Sequence, residues 1–126
     1  MADELYETGI AIREQMWGPQ GGREKVEGAS EFQQDLEQLV TRYCFGETWG
    51  RPGLTHAERS MLTLGMLIAL GRSHEIGVHV VGAINNGLTR EQIKEILLHA
   101  AIYCGIPASV DAHRTAEPIL DQLEGK

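Results

Sequence analysis

Apolar side chains recur along this chain at intervals of three and four, and nowhere in the strict alternation of a half-buried strand. Leu5, Ile12 and Met16 fall near one side of a first helix, from Asp3 to Met16, which stops at Gly18-Pro19 and a turn at Gly21-Gly22. Ser30, a residue type that caps helix starts, opens a second helix through about Phe45, with Phe32, Leu36, Leu39, Val40 and Tyr43 at helical spacing. Residues 46–53, GETWGRPG, are rich in breakers and predict an irregular connector. Thr55-His56-Ala57-Glu58 fits a capping box and starts a third helix. The body of that helix, MLTLGMLIAL, is apolar nearly all round, the pattern of a central helix buried on every side. Gly71 breaks it. A fourth helix covers about Ser73 to Asn85 and ends at Asn86-Gly87. Thr89-Arg90-Glu91-Gln92, a second capping box, starts a fifth with Ile93, Ile96, Leu97 and Ala100 on one face. Gly105-Ile106-Pro107 ends it, and a sixth runs from about Ala108 to Leu123. The expectation is an all-α protein, a single domain over residues 1–126 with about six helices. Few residues remain to surround the third helix, so homo-oligomerisation offers a further way to bury it.

Composition narrows the partners. A net charge of −7 argues against nucleic acid or an anionic membrane surface. An anionic substrate would need a local cluster of arginines to overcome that field. Cys44 and Cys104 are far apart, match no metal or redox spacing, and read as buried small hydrophobes. That usage suits a reducing cytoplasm. The acidic start, MADELYETGI, lacks the apolar run of a signal peptide, and no stretch reaches the roughly 18 apolar residues that span a bilayer.

One stretch carries candidate chemistry. His74-Glu75-Ile76-Gly77-Val78-His79 resembles the zinc-protease pattern H-E-x-x-H with one residue too many. At about 100° per residue, histidines five apart diverge by roughly 140° and cannot share one ion from an unbroken helix. Glu75 and His79, four apart, do share a face, and Arg72, three before Glu75, extends it into a polar stripe.

The segment Leu39-Val40-Thr41-Arg42-Tyr43-Cys44-Phe45-Gly46-Glu47-Thr48-Trp49-Gly50-Arg51-Pro52-Gly53-Leu54 resembles the carboxymuconolactone decarboxylase family. So do Arg59-Ser60-Met61-Leu62-Thr63-Leu64, His79, Ala83, Asn85-Asn86-Gly87-Leu88-Thr89, Glu91 and the run from Ala101 to Ala108. The likeness covers about residues 5 to 122. It implies an all-helical fold of the alkyl hydroperoxidase D-like kind, usually a trimer or a hexamer, with active sites near subunit contacts. The hydroperoxidase branch carries C-x-x-C-x-x-x-H on this helix. Aligned on His79, its cysteine positions are Arg72 and Glu75, so disulfide-type peroxidase chemistry is disfavoured.

The reaction the resemblance implies is conversion of 4-carboxymuconolactone to the 3-oxoadipate enol-lactone with loss of CO2. The lactone itself absorbs the electrons of the breaking bond, so no cofactor and no metal is called for. The protein must hold a small anionic lactone, stabilise an oxyanion and deliver a proton. His79 is the first candidate for proton transfer, because imidazole titrates near neutrality. Glu75 is the candidate to orient it or raise its pKa, and Glu47 a further acid. Arg51, Arg72 and Arg59 are candidates to grip carboxylate, for which the guanidinium fork is suited. Trp49 is a pocket wall or an anchor for its loop. His74, His56 and His99 read as structural, Asn85-Asn86-Gly87 as a helix stop. This chain departs from close decarboxylase sequences at Val81, where arginine is common, at Gly77, where alanine is, and at His113, where an apolar aromatic is. Those departures keep two alternatives open: a paralogue performing proton transfer, isomerisation or other lactone chemistry on a related acid, and a non-catalytic oligomeric binding protein.

Overall fold

Two hydroxyls show how local chemistry sets the helix ends. The Ser30 hydroxyl accepts the Gln33 backbone N–H at 3.2 Å, and Thr89 with Gln92 forms a complete capping box. The computed structural model describes residues 3–126. Among the described residues there is no strand, so the all-α expectation holds. The chain packs as two compact units, one ending at Thr55 and the other running from His56 to Lys126.

The first unit contains α1 (Asp3–Trp17), a 3-10 turn (Pro19–Gly21), α2 (Arg23–Glu27), α3 (Glu31–Leu39) and a π-helix (Val40–Thr48). The second helix of the sequence reading therefore does not run as one α-helix to Phe45: it changes to π geometry at Val40, and what was expected to be connector is helical to Thr48. The reason lies in packing. Phe45 and Trp49 both join Ile12 and Met16 in one apolar cluster, with Trp17 edge-on to Phe45 at 5.5 Å. The Trp49 N–H bonds the Cys44 carbonyl, five residues back, at 2.9 Å. The π-helix lies close along α1, where a methyl group on Gly9 would strike the Thr41 carbonyl. Arg13 is buried here, its Nη1 3.0 Å from Glu37 and 3.2 Å from the Thr41 hydroxyl, its Nε donating to the Gly21 carbonyl at 2.9 Å. Cys44 is exposed, which corrects its expected burial. α3 buries none of its residues, and Phe32 on it is 91% exposed.

The second unit contains α4 (His56–Leu70), α5 (Ser73–Asn85), α6 (Arg90–Cys104) and α7 (Ile106–Leu123). Gly71 and Gly87 take positive φ at the α4 and α5 ends, as their sequence positions suggested. Pro107 sits in the first turn of α7, where its missing N–H costs nothing, so that helix begins two residues earlier than expected. Leu64 and Ile68 from α4, Ile76 and Val80 from α5, Ile93 and Leu97 from α6, and Ala112 and Ala116 from α7 meet in the core. α4 is not buried on every side. It buries Ser60, Leu64 and Ile68, while Leu62, Met66 and Leu70 stay exposed. No helix is long and apolar enough to cross a membrane among the described residues.

Candidate active site

α5 buries Ile76, Gly77, Val80 and Ala83 against its neighbours. Glu75 and His79 flank that face, so they occupy the border between core and solvent: Glu75 is exposed and His79 half-buried, with Nδ1 fully inside the protein. Burial lowers the His79 pKa below the ordinary imidazole value, and the Glu75 carboxylate offsets this only in part. The result is a neutral imidazole beside a carboxylate at neutral pH. α5 is unbroken between His74 and His79, and His74 faces solvent, so the two rings diverge as their spacing requires.

The stripe ends at Glu75. Arg72 is the N-cap of α5, with φ −94° and ψ 74°, outside the helix whose face it was expected to extend. Arg59 lies in the first turn of α4, half-buried, with Nε inside the protein.

The other three candidates belong to the first unit. Glu47 lies in the last turn of the π-helix and Arg51 just beyond it, their charged groups 4.0 Å apart and both exposed. Such an exposed pair contributes little to stability. Long π segments are uncommon and frequent at functional sites, and this one delivers Glu47 and Arg51. Trp49 is buried in the cluster with Phe45, Ile12 and Met16, the anchoring alternative of its two readings.

Three further residues are clarified. Gly77 faces α7, and a Cβ there would lie 2.9 Å from Ile119 Cδ1, so the isoleucine fills the space of the missing methyl. The His113 ring donates from Nδ1 to the Ser109 carbonyl, 2.8 Å away on its own helix. Asn86, beyond stopping α5, donates to the buried Ser60 hydroxyl at 3.0 Å.

The sequence reading missed a cleft of about 750 Å³ between α4 and α6, lined by Met61, Leu62, Gly65, Glu95, Ile96, His99, Ala100 and Tyr103 among others. His99, read as structural, lines this cleft and stacks on Tyr103 at 4.9 Å. The signal was present in the fourfold spacing of Glu91, Glu95, His99 and Tyr103, which places them along one edge of α6.

A helical protein with a half-buried imidazole beside a carboxylate, and no thiol pair on that helix, is equipped for acid–base chemistry. Residues 34–118 match the model of the carboxymuconolactone decarboxylase family. The chain is 36% identical over 121 residues to 4-carboxymuconolactone decarboxylase of Acinetobacter baylyi, covering 96% of this chain and 90% of that one. It is 36% identical over 122 residues to nitrosuccinic acid decarboxylase npaB of Metarhizium robertsii, covering 97% and 85%. The chain belongs to the carboxymuconolactone decarboxylase family and is a carboxy-lyase of that family.

Proposed function

We propose that the protein converts 4-carboxymuconolactone to the 3-oxoadipate enol-lactone in aromatic-acid catabolism, without a cofactor. The observation that carries this reading is the half-buried His79, held neutral by burial with Glu75 one turn before it. It is supported by 36% identity, across nearly the whole chain, to a relative named for that reaction.

The chemistry balances without outside electrons. The bond from the γ carbon to its carboxylate breaks and CO2 leaves. The electron pair moves through the ring double bond into the lactone carbonyl, giving a dienolate. A proton then joins the α carbon, leaving the enol-lactone. Arg72 and Arg59, on the same unit as His79, are the groups we assign to the substrate carboxylates, and Arg51, on the first unit, is a separate candidate for gripping a carboxylate. An arriving anion raises the proton affinity of a neutral imidazole. Substrate binding therefore loads His79 with the proton that it passes to the α carbon, with Glu75 favouring the charged ring. Glu47 pairs with Arg51 until a ligand carboxylate takes its place.

A second reading has its own support: equal identity to a nitrosuccinic acid decarboxylase. There a nitro group takes the electron pair that a lactone carbonyl takes here, so the same acid–base equipment serves both. Val81, in place of a common arginine, is the sequence departure that fits a changed substrate. Supplying purified protein separately with 4-carboxymuconolactone and nitrosuccinate separates the readings. Stoichiometric CO2 with enol-lactone from the first substrate is the expected result. CO2 from nitrosuccinate alone selects the second reading, and inertness towards both leaves a binding protein.

A further inference from the structure

One guanidinium spans the point where α3 gives way to the π-helix. Arg13, on α1, is 4% exposed. Its Nη1 donates to Glu37 Oε1, in the last turn of α3, at 3.0 Å, and to the Thr41 hydroxyl, in the first turn of the π-helix, at 3.2 Å. Its Nε is held by the Gly21 carbonyl at 2.9 Å. The Phe45 ring, four residues beyond Thr41, has its centre 5.8 Å from the guanidinium carbon. α1 thus grips both sides of the junction at Val40 through a single nitrogen. The backbone tightens the fit, since Thr41 is fully buried and its carbonyl occupies the space that a methyl on Gly9 would need. Helical register is what this grip decides. A π turn closes on the carbonyl five residues back, an α turn on the one four back. Returning one turn of residues 40–48 to α geometry would carry everything after it round by about 100°, the step of one residue. Trp49 would then leave the cluster it shares with Ile12 and Met16, and Arg51 would turn with it. π-helices are rare, so a segment of nine residues needs contacts from elsewhere to hold it.

We propose that Arg13 is a positioning residue: its bridge from Glu37 to Thr41 locks residues 40–48 in π register and thereby sets where Arg51 stands. The consequence for catalysis rests on the reading of Arg51 as a group that grips a substrate carboxylate; the register does not. A buried ion pair is a weak stabiliser, because desolvating both charges offsets their attraction, and its best-attested use is to hold one register against another. The planar guanidinium suits that use. Its donors keep fixed directions, so Gly21, Glu37 and Thr41 are placed relative to one another by a single rigid group.

Thr41→Val tests the bridge with little change of shape: it removes the accepting hydroxyl and leaves the Arg13–Glu37 pair. Thr41→Ser keeps the hydroxyl and is the conservative control. Both are made in a Trp17→Phe background, where Trp49 is the one remaining tryptophan. Trp49 is 6% exposed, so in π register its emission is that of a buried indole. Thr41→Val should shift that emission to the red and increase its quenching by acrylamide, with unchanged helical circular dichroism, while Thr41→Ser should do neither. Native emission in Thr41→Val overturns the proposal, and so does an equal shift in Thr41→Ser. Should Thr41→Val fail to fold, the paired change Arg13→Met with Glu37→Met removes both buried charges together; it should give the same red shift, and native emission overturns the proposal. Kinetics with 4-carboxymuconolactone then test the link to Arg51. Thr41→Val should raise KM by about tenfold, the scale of one charge-assisted hydrogen bond, with kcat little changed. Added to Arg51→Lys it should raise KM no further, and additive increases overturn the link. If Arg51→Lys itself leaves the saturation curve unchanged, the reading of Arg51 fails, and the Trp49 emission still decides the register.

Discussion

Gly77 departs from the residue common at its position, and the structure ties that departure to packing. Adding a methyl group places Cβ 2.9 Å from Ile119 Cδ1 and 3.5 Å from Thr115 Cγ2, both on α7. Carbon atoms settle at about 3.5–4.0 Å, so the Ile119 methyl must retreat by roughly 0.6–1 Å. Overpacking of that kind costs about 1–3 kcal/mol. The gain from replacing glycine inside a helix is about 1 kcal/mol. Gly77→Ala is therefore expected to destabilise by about 0–2 kcal/mol. Ile119→Val alone should cost about 0.5 kcal/mol, the low end for this change, since Ile119 is only partly buried against the core. Combined, each change relieves the other: the alanine methyl occupies the space that Cδ1 leaves. The double variant should be more stable than additivity predicts by about 1 kcal/mol. Urea unfolding of the four proteins, followed by circular dichroism at one protein concentration, measures this. Additivity within about 0.3 kcal/mol would refute the compensation. The same four proteins test whether Gly77 shapes a substrate pocket. If it faces only α7, turnover should stay within about threefold across the set, and a tenfold loss in Gly77→Ala that Ile119→Val does not restore would return Gly77 to the pocket.

His79→Gln should lower turnover by about 10²–10⁴-fold, the usual contribution of positioned acid–base catalysis, without altering solution mass; near-native turnover removes His79 from the mechanism. The same variant probes the buried imidazole through stability. The His79 pKa is lower folded than unfolded, so the unfolded chain binds the proton more readily; the native protein keeps the full contribution above the ordinary value of about 6.5 and loses it as pH falls below that value towards the folded pKa. Urea midpoints at pH 7.5 and 5.5 should therefore fall further for the native protein than for His79→Gln, and equal falls would place His79 in water. Arg51→Lys should raise KM more than it lowers kcat, because the charge remains while the fork is lost; an unchanged saturation curve would remove Arg51 from substrate binding.

The helix ends were legible because they depend on neighbours in sequence. Ser30, Thr89, Gly71 and Gly87 act on backbone groups within a few residues, so their effects can be read from the chain itself. The Glu75–His79 pair was legible for the same reason, as a spacing of four on an unbroken helix. Arg72 was misplaced because the same arithmetic was carried one residue past the helix start. The π-helix was hidden because its geometry answers to distant partners. Phe45 and Trp49 are drawn to one cluster with Ile12 and Met16, and no local rule names those residues. Arg13 illustrates the point for polar groups: its burial rests on Glu37 and Thr41, 24 and 28 residues away.

The misreading of α4 has a different origin. Its all-round apolar pattern says that every side could be buried, yet it is silent about which side the fold covers. Leu64 and Ile68 leave water through α5, α6 and α7 of the same chain. Leu62, Met66 and Leu70 do not, although they are as apolar. Transfer from water stabilises by about 25 cal/mol per Å² whichever chain supplies the partner, so the two halves of α4 are energetically alike in sequence. What separates them is position. Leu64 and Ile68 lie on one edge of the helix, and Leu62, Met66 and Leu70 lie two residues out of step with them, on a different side. A helix apolar on both sides thus reads in sequence as buried all round, although this chain covers only one of those sides. Met66→Glu should therefore leave the urea midpoint near the native value, because Met66 is 61% exposed; a loss as large as that of a core substitution would show that the outer ridge is covered.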